Sequence, residues 1–228
     1  MVSLAMTRST GRSCISKLSE YSPGLLALND EYQTVRFRGS FSLPSPYKGP
    51  VTPEVDAKWS EIENMGAISI SEGEFRQLNA SEHAVKVPPN LGGGFMALPE
   101  FVHQIHCVKM LWEQTYPEYY TEAHNWSLEN PKGFHEHIDH CADLLRQKLM
   151  CDADMTIITY NWIKNHYKPH PNFNVQHKCR TFDAAKQWTI ERQINASSLE
   201  HDYFPRPEEP VVEFDEPPFD LLASESRA

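Results

Sequence analysis

The sequence of 228 residues predicts a mainly helical α+β single domain with short strands, on three observations. Two segments rich in His and Cys repeat their apolar residues at three- and four-residue steps, the period of a helix packed on one side. Brief runs that alternate β-branched or aromatic residues with polar ones, bounded by Pro and Gly, read as short strands. Hydrophobic residues form 40% and charged residues 23% of the chain, proportions ordinary for a folded globular protein.

Taken in order, residues 1–33 are Ser-rich without sustained periodicity and read as a poorly ordered arm. Residues 34–43 read as a strand, broken by the Pro and Gly of residues 44–53. Thr52 caps a helix with Pro53 at its first position, and Gly66 is its expected end. Residues 67–71 and 83–89 read as short strands around a turn. Gly92, Gly93 and Gly94 form a turn or hinge, because no Lys-Ser/Thr follows them as a phosphate loop requires. Pro99 suits the first turn of a helix through residues 100–114, and Pro131 and Gly133 precede a second helix over residues 134–151. Residues 155–163 then read as a strand, 165–179 as an irregular loop and 183–193 as a closing helix. The domain so defined covers residues 34–200, and residues 201–228 form an acidic, Pro-rich tail.

The formal charge of -10 and the lack of a dense Lys/Arg run remove the footprint of a nucleic-acid binder. No stretch approaches the roughly 20 apolar residues of a membrane helix, and no export signal is legible. Small molecules or peptides are the better partners.

The two helical segments share one motif. His103, His106 and Cys107 in the first, and His137, His140 and Cys141 in the second, each occupy one face of about 100 degrees. Two such helices packed antiparallel through a short connection bring four imidazoles together, as helical metal proteins do. Imidazole suits copper, zinc, iron or nickel. His135 points away from that face, as a supporting group behind the ligands or a solvated residue, while Asp139, Asp143 and Asp154 are candidate orienters of imidazole nitrogens or plain surface charges. Tyr119, Tyr120 and Trp126 are aromatic candidates for a substrate pocket or for core packing.

Cys107, Cys141, Cys151 and Cys179 form an even set, with Cys14 apart. They can make two disulfides or supply thiolate ligands, and spacing alone does not choose the pairing. Thiolate ligation favours a closed zinc site, whereas oxidised cysteines leave the histidines alone on the metal with open positions. Sequons at Asn79, Asn125 and Asn195 favour a secretory lumen and a glycoprotein. The absent signal leaves a soluble cytoplasmic location open.

The ordered motifs HQIHCVKML, HIDHCADLLRQKLMCDADMT and HKCRTFDAAKQW, preceded by PYKGPVTPEVDAKW, resemble the fungal ustiloxin-type oxidases, the UstYa-like family, over residues 47–188. The resemblance implies a copper-dependent oxidoreductase of fungal secondary-metabolite or ribosomal-peptide biosynthesis. Its implied reactions are oxidative cyclisation, dehydrogenation, hydroxylation or halogenation, through C–H or O–H activation with dioxygen as co-substrate. It also implies that His103, His106, His137 and His140 are the catalytic metal ligands, that Cys151, His177 and Cys179 belong to flanking motifs, and that the chain assembles with itself or with a paralogue. Members commonly carry an N-terminal membrane helix, which is not expected in this sequence. Two alternatives stand beside the oxidase: a metal-stapled accessory subunit that pairs with a catalytic paralogue and has no turnover of its own, and a redox-neutral metal-assisted cyclase or hydrolase.

Overall fold

The computed structural model describes residues 19–28, 32–195, 206–207 and 210–215. Most of the expected arm, Cys14 and most of the acidic tail lie outside them. The described residues mix helices with short antiparallel strands, as expected. They fall into two compact units, each assembled from separate stretches of chain.

One unit draws its described residues from 19–28, 66–98, 183–195, 206–207 and 210–215. Its core is the antiparallel pair β2 (Ile68–Ile70) and β3 (Phe95–Ala97), with Ile70 opposite Phe95. Alternation turns Ile68 and Ile70 to one side, where both are buried with Phe95. Phe75 stacks on Phe95 at 3.8 Å between ring centres. Phe75 ends α2 (Glu72–Phe75), a short helix fixed by a capping box between Ser71 and Glu74. Residues 83–89 do not form the expected strand: they contribute a single bridge, Lys86 to Phe95, before two prolines end the pairing. Gly92, Gly93 and Gly94 all have positive φ, and a Cβ on Gly94 would meet the Ile70 carbonyl oxygen at 2.3 Å. The glycine run is therefore a turn that lets β3 approach β2 closely.

The other unit comprises residues 32–65 and 99–182. Helix α1 (Pro53–Glu63) begins where expected, with Thr52 Oγ1 accepting from the Val55 N–H, and ends three residues before Gly66. Trp59 anchors it: the indole donates to the Tyr47 carbonyl at 3.1 Å and stacks on Trp112 at 5.3 Å. Trp112 lies on α3 (Glu100–Glu113), which packs against α1 and against α5 (Pro131–Asp152). The connection between α3 and α5 is not short, because it holds a further helix, α4 (Thr121–Glu129), packed on α5. That segment shows only a weak apolar face, so its helix comes from tertiary packing rather than from pattern.

Strand placement needs three corrections. β1 (Tyr32–Arg36) starts earlier than residues 34–43, with Tyr32 opposite Arg180, and stops sooner, before Gly39 runs closely against Phe173. Its partner is β6 (Gln176–Arg180), which lies inside the segment expected to be loop. That segment also holds β5 (His170–Asn172), paired with β4 (Thr159–Asn161), and only those three residues of 155–163 are strand. Pro and Asn mask these strands in the sequence, since an edge strand tolerates a proline that a central strand cannot. The closing helix α6 (Phe182–Arg192) forms one residue early. No described helix is long and apolar enough to cross a membrane.

Candidate metal centre

The first His-x-x-His-Cys segment lies on α3 and the second on α5. Cys107 and Cys141 are fully buried, whereas His140 is exposed and His103, His106 and His137 are half-buried. The motif therefore divides, with sulfur turned inward and imidazole turned toward solvent.

Nε2 of His103 and Nε2 of His140 are 3.4 Å apart. The ring centres of that pair are separated by 5.3 Å, those of His106 and His137 by 5.9 Å, and those of His103 and His106 by 6.5 Å. Burial first, and then the charges of His106, His140 and His103, lower the basicity of His137 and favour its neutral imidazole. The His106 Nδ1 lies 2.9 Å from Glu63 Oε1, and Lys109 Nζ donates to Glu63 Oε2 at 2.9 Å.

The donor set suits a metal only in part. Two nitrogens at about 2.0–2.1 Å from a tetrahedral ion lie about 3.3–3.4 Å apart, and two rings on one ion have centres about 5–6 Å apart. The His103–His140 pair matches both, and His106–His137 matches the ring spacing. Yet among the described residues no group of three or more His, Cys, Asp or Glu side chains is arranged to hold a metal ion. One nitrogen pair is in place, with two further rings beside it.

The four described cysteines are free thiols. Burial, and then a hydrogen bond with the Cys141 thiol, push the Cys107 thiol up to about 12, so it stays protonated at neutral pH. His103 Nε2 lies 3.8 Å from the Cys107 sulfur. Cys151 is exposed on the end of α5, and Cys179 sits on β6 away from the motif pair in sequence.

The remaining candidates separate. His135 is exposed and packs edge-on against Phe134, in keeping with its direction on a regular helix. His177 Nδ1 lies 2.8 Å from Asp154 Oδ2, and the His177 ring stacks on Phe37 at 3.8 Å. Asp143 binds Arg146 and Gln147 on its own helix, so it is a surface charge, and Asp139 is exposed. The Tyr120 hydroxyl donates to Asp56 at 2.8 Å and its ring meets Trp112, which ties the residue to packing. Tyr119 and Trp126 are exposed, as are the sequon residues Asn79, Asn125 and Asn195. Asn125 lies within α4. Glu63 was not legible as a site residue, although a signal exists. It falls four residues after Trp59 on the buried register of α1, where an acid needs a partner.

Sequence comparison adds to this geometry. The profile of the mycotoxin biosynthesis protein UstYa family matches residues 1–192. The chain is 31% identical over 169 residues to UstYa family oxidase aprY of Aspergillus flavus, covering 70% of this chain and 50% of that protein. It is 27% identical over 188 residues to UstYa family oxidase phomYc of Diaporthe leptostromiformis, covering 80% of this chain and 73% of that one. A Talaromyces islandicus relative, 26% identical over 190 residues and covering 79% of this chain and 63% of that one, is named transacylase cctO. The match thus spans about half the length of the Aspergillus relative. No solved structure matches. With the family profile covering both His-x-x-His-Cys segments and the helices that carry them, the chain belongs to the UstYa family of mycotoxin biosynthesis proteins.

Proposed function

We propose that this chain is a copper-dependent oxidase of fungal secondary-metabolite or ribosomal-peptide biosynthesis, with dioxygen as co-substrate. The observation that carries the reading is the His103–His140 nitrogen pair at 3.4 Å, with His140 exposed and both motif thiols buried beneath it. An imidazole pair open to solvent suits a site that must admit a substrate, whereas Cys107 and Cys141 are fully buried. Relatives named oxidases support the same reading.

His103 and His140 would hold the ion, with the His106 and His137 rings beside them as the further imidazoles of the set. Bound copper supplies one-electron exchange with dioxygen, enough to activate a C–H or phenolic O–H bond. The chain itself contributes placement. Burial keeps His137 neutral and so available as a donor. The α1–α3 packing around Trp59 and Trp112 fixes the backbone from which His103 and His106 project. Cyclisation, dehydrogenation, hydroxylation and halogenation all remain compatible with this arrangement, and the choice rests on the substrate.

The test is dioxygen uptake by copper-loaded, desalted protein with ascorbate as electron donor. Uptake should follow the bound copper and fall to background in His103→Ala and His140→Ala. Full uptake in both variants, or none in the copper-loaded wild type, contradicts the proposal. A redox-neutral second reading is favoured by the transacylase name of one relative, and it requires turnover without dioxygen.

A further inference from the structure

We propose that Glu63 is a positioning residue for His106, fixing the proton on Nδ1 so that Nε2 is presented as a bare donor toward the His103–His137–His140 group. The inference rests on the metal-site reading above and adds a member that neither His-x-x-His-Cys segment contains.

Glu63 is the last residue of α1, and its side chain is only 16% exposed. That is an unfavourable place for a carboxylate twice over. The carbonyl end of a helix repels negative charge, and burial strips the group of water. Two contacts from α3 offset this. Oε1 lies 2.9 Å from His106 Nδ1, and Oε2 accepts from Lys109 Nζ at 2.9 Å. His106 and Lys109 are three residues apart, so they leave α3 on one face and meet the two oxygens of a single carboxylate. Lys109 is itself only 12% exposed and reaches Glu113 at 3.6 Å on its other side.

The arrangement determines a tautomer. The Lys109 ammonium on Oε2 pairs Glu63 as a carboxylate and leaves Oε1 facing the His106 Nδ1. An ionised carboxylate only accepts, so the His106 Nδ1 must carry the hydrogen. A neutral imidazole has one N–H, which leaves Nε2 as a lone-pair donor. Its ring centre stands 5.9 Å from His137 and 6.5 Å from His103. A carboxylate on the far nitrogen of a ligating imidazole also raises its basicity and fixes its ring plane. Glu63 is held for this task, because Trp59 one turn earlier is locked by Trp112 and by the Tyr47 carbonyl.

The decisive comparison is wild type against Glu63→Gln, an isosteric change whose amide can donate to Nδ1 and release the tautomer. Two readouts are taken at neutral pH: the 15N shifts of His106 in metal-free protein, and Cu(I) affinity by competition with a chromophoric chelator. Wild type should show a protonated Nδ1 and a bare Nε2. Glu63→Gln should lose that assignment and bind Cu(I) about 10–100-fold more weakly. Glu63→Asp should recover part of both, and Glu113→Gln should alter neither. A protonated Nε2 in wild type, or an unchanged tautomer and affinity in Glu63→Gln with its circular dichroism intact, overturns the inference. If Glu63→Gln does not fold, the wild-type tautomer and Glu63→Asp decide it alone. Should wild type hold the expected tautomer yet take up no Cu(I), the copper function fails while the Glu63–His106 contact stands.

Discussion

His103 Nε2 and His140 Nε2 face each other at 3.4 Å from two different helices, α3 and α5. Two imidazole lone pairs so placed repel unless a proton or a cation lies between them. Because His140 is exposed, His140→Ala should change folding stability by no more than about 0.5 kcal/mol. The proposed copper site should nonetheless lose affinity by at least about a hundredfold, since His140 is one of its two placed donors. Thermal unfolding and chelator competition on the same sample separate the two effects.

The cysteines should differ sharply in reactivity. Cys151 is exposed and should react with a thiol reagent in the native state, whereas buried Cys107 and Cys141 should react only through unfolding. Cys107→Ala should destabilise the fold by about 1–3 kcal/mol through the space it leaves. The pH effect has a definite sign. The Cys107 pKa is raised from 9.0 to about 12, so its contribution to stability is intact below pH 9 and is lost as pH rises toward 12. Denaturant midpoints measured across that range should fall in wild type more steeply than in Cys107→Ala.

Four of the six described α-helices, α1, α3, α5 and α6, were legible in the sequence, and the reason is local. Thr52 with Pro53, and Pro131 at the first position of α5, are chemical start signals that act within one turn. The paired histidines of α3 and α5 were legible as candidates because three- and four-residue spacing needs no tertiary knowledge. By contrast, β5 and β6 exist only because β4 and β1 lie beside them, and nothing in the composition of residues 165–179 states that pairing. Glu63 was hidden for a similar cause. Its partners His106 and Lys109 are 43 and 46 residues away, a separation that only the packing of α1 on α3 closes.

The glycine run should tolerate change unevenly. Gly93 has φ of 67° with open space at its Cβ position, so Gly93→Asn should cost less than about 1 kcal/mol. Gly94 has φ of 82° and its added Cβ would strike the Ile70 carbonyl, so Gly94→Ala should cost more than about 2 kcal/mol and loosen the β2–β3 pair. Equilibrium denaturation of the two variants checks the order.

Acid should act on two carboxylates in one direction and on a third in the other. Despite burial, which acts to raise them, Glu63 and Glu74 are held below their ordinary 4.5, Glu63 by His106 and Lys109 and Glu74 by Ser71 and Arg192. Their stabilisation is present above pH 4.5 and is lost as pH falls through the lowered values. Burial raises the Glu113 pKa, so its charge opposes folding at neutral pH and protonation relieves it. Glu113→Gln should therefore stabilise the protein at neutral pH, and the gain should fade as pH approaches 4.5 from above. Stability against pH for wild type and Glu113→Gln tests the sign.

A copper site built on the motif histidines would show itself in the metal content of folded protein purified without chelator. Elemental mass spectrometry of wild type and the double variant His103→Ala/His140→Ala makes the comparison. Near-stoichiometric copper in wild type and almost none in the variant is the expected result. Stoichiometric zinc in both proteins, or copper retained in full by the variant, rules out a copper site on these histidines.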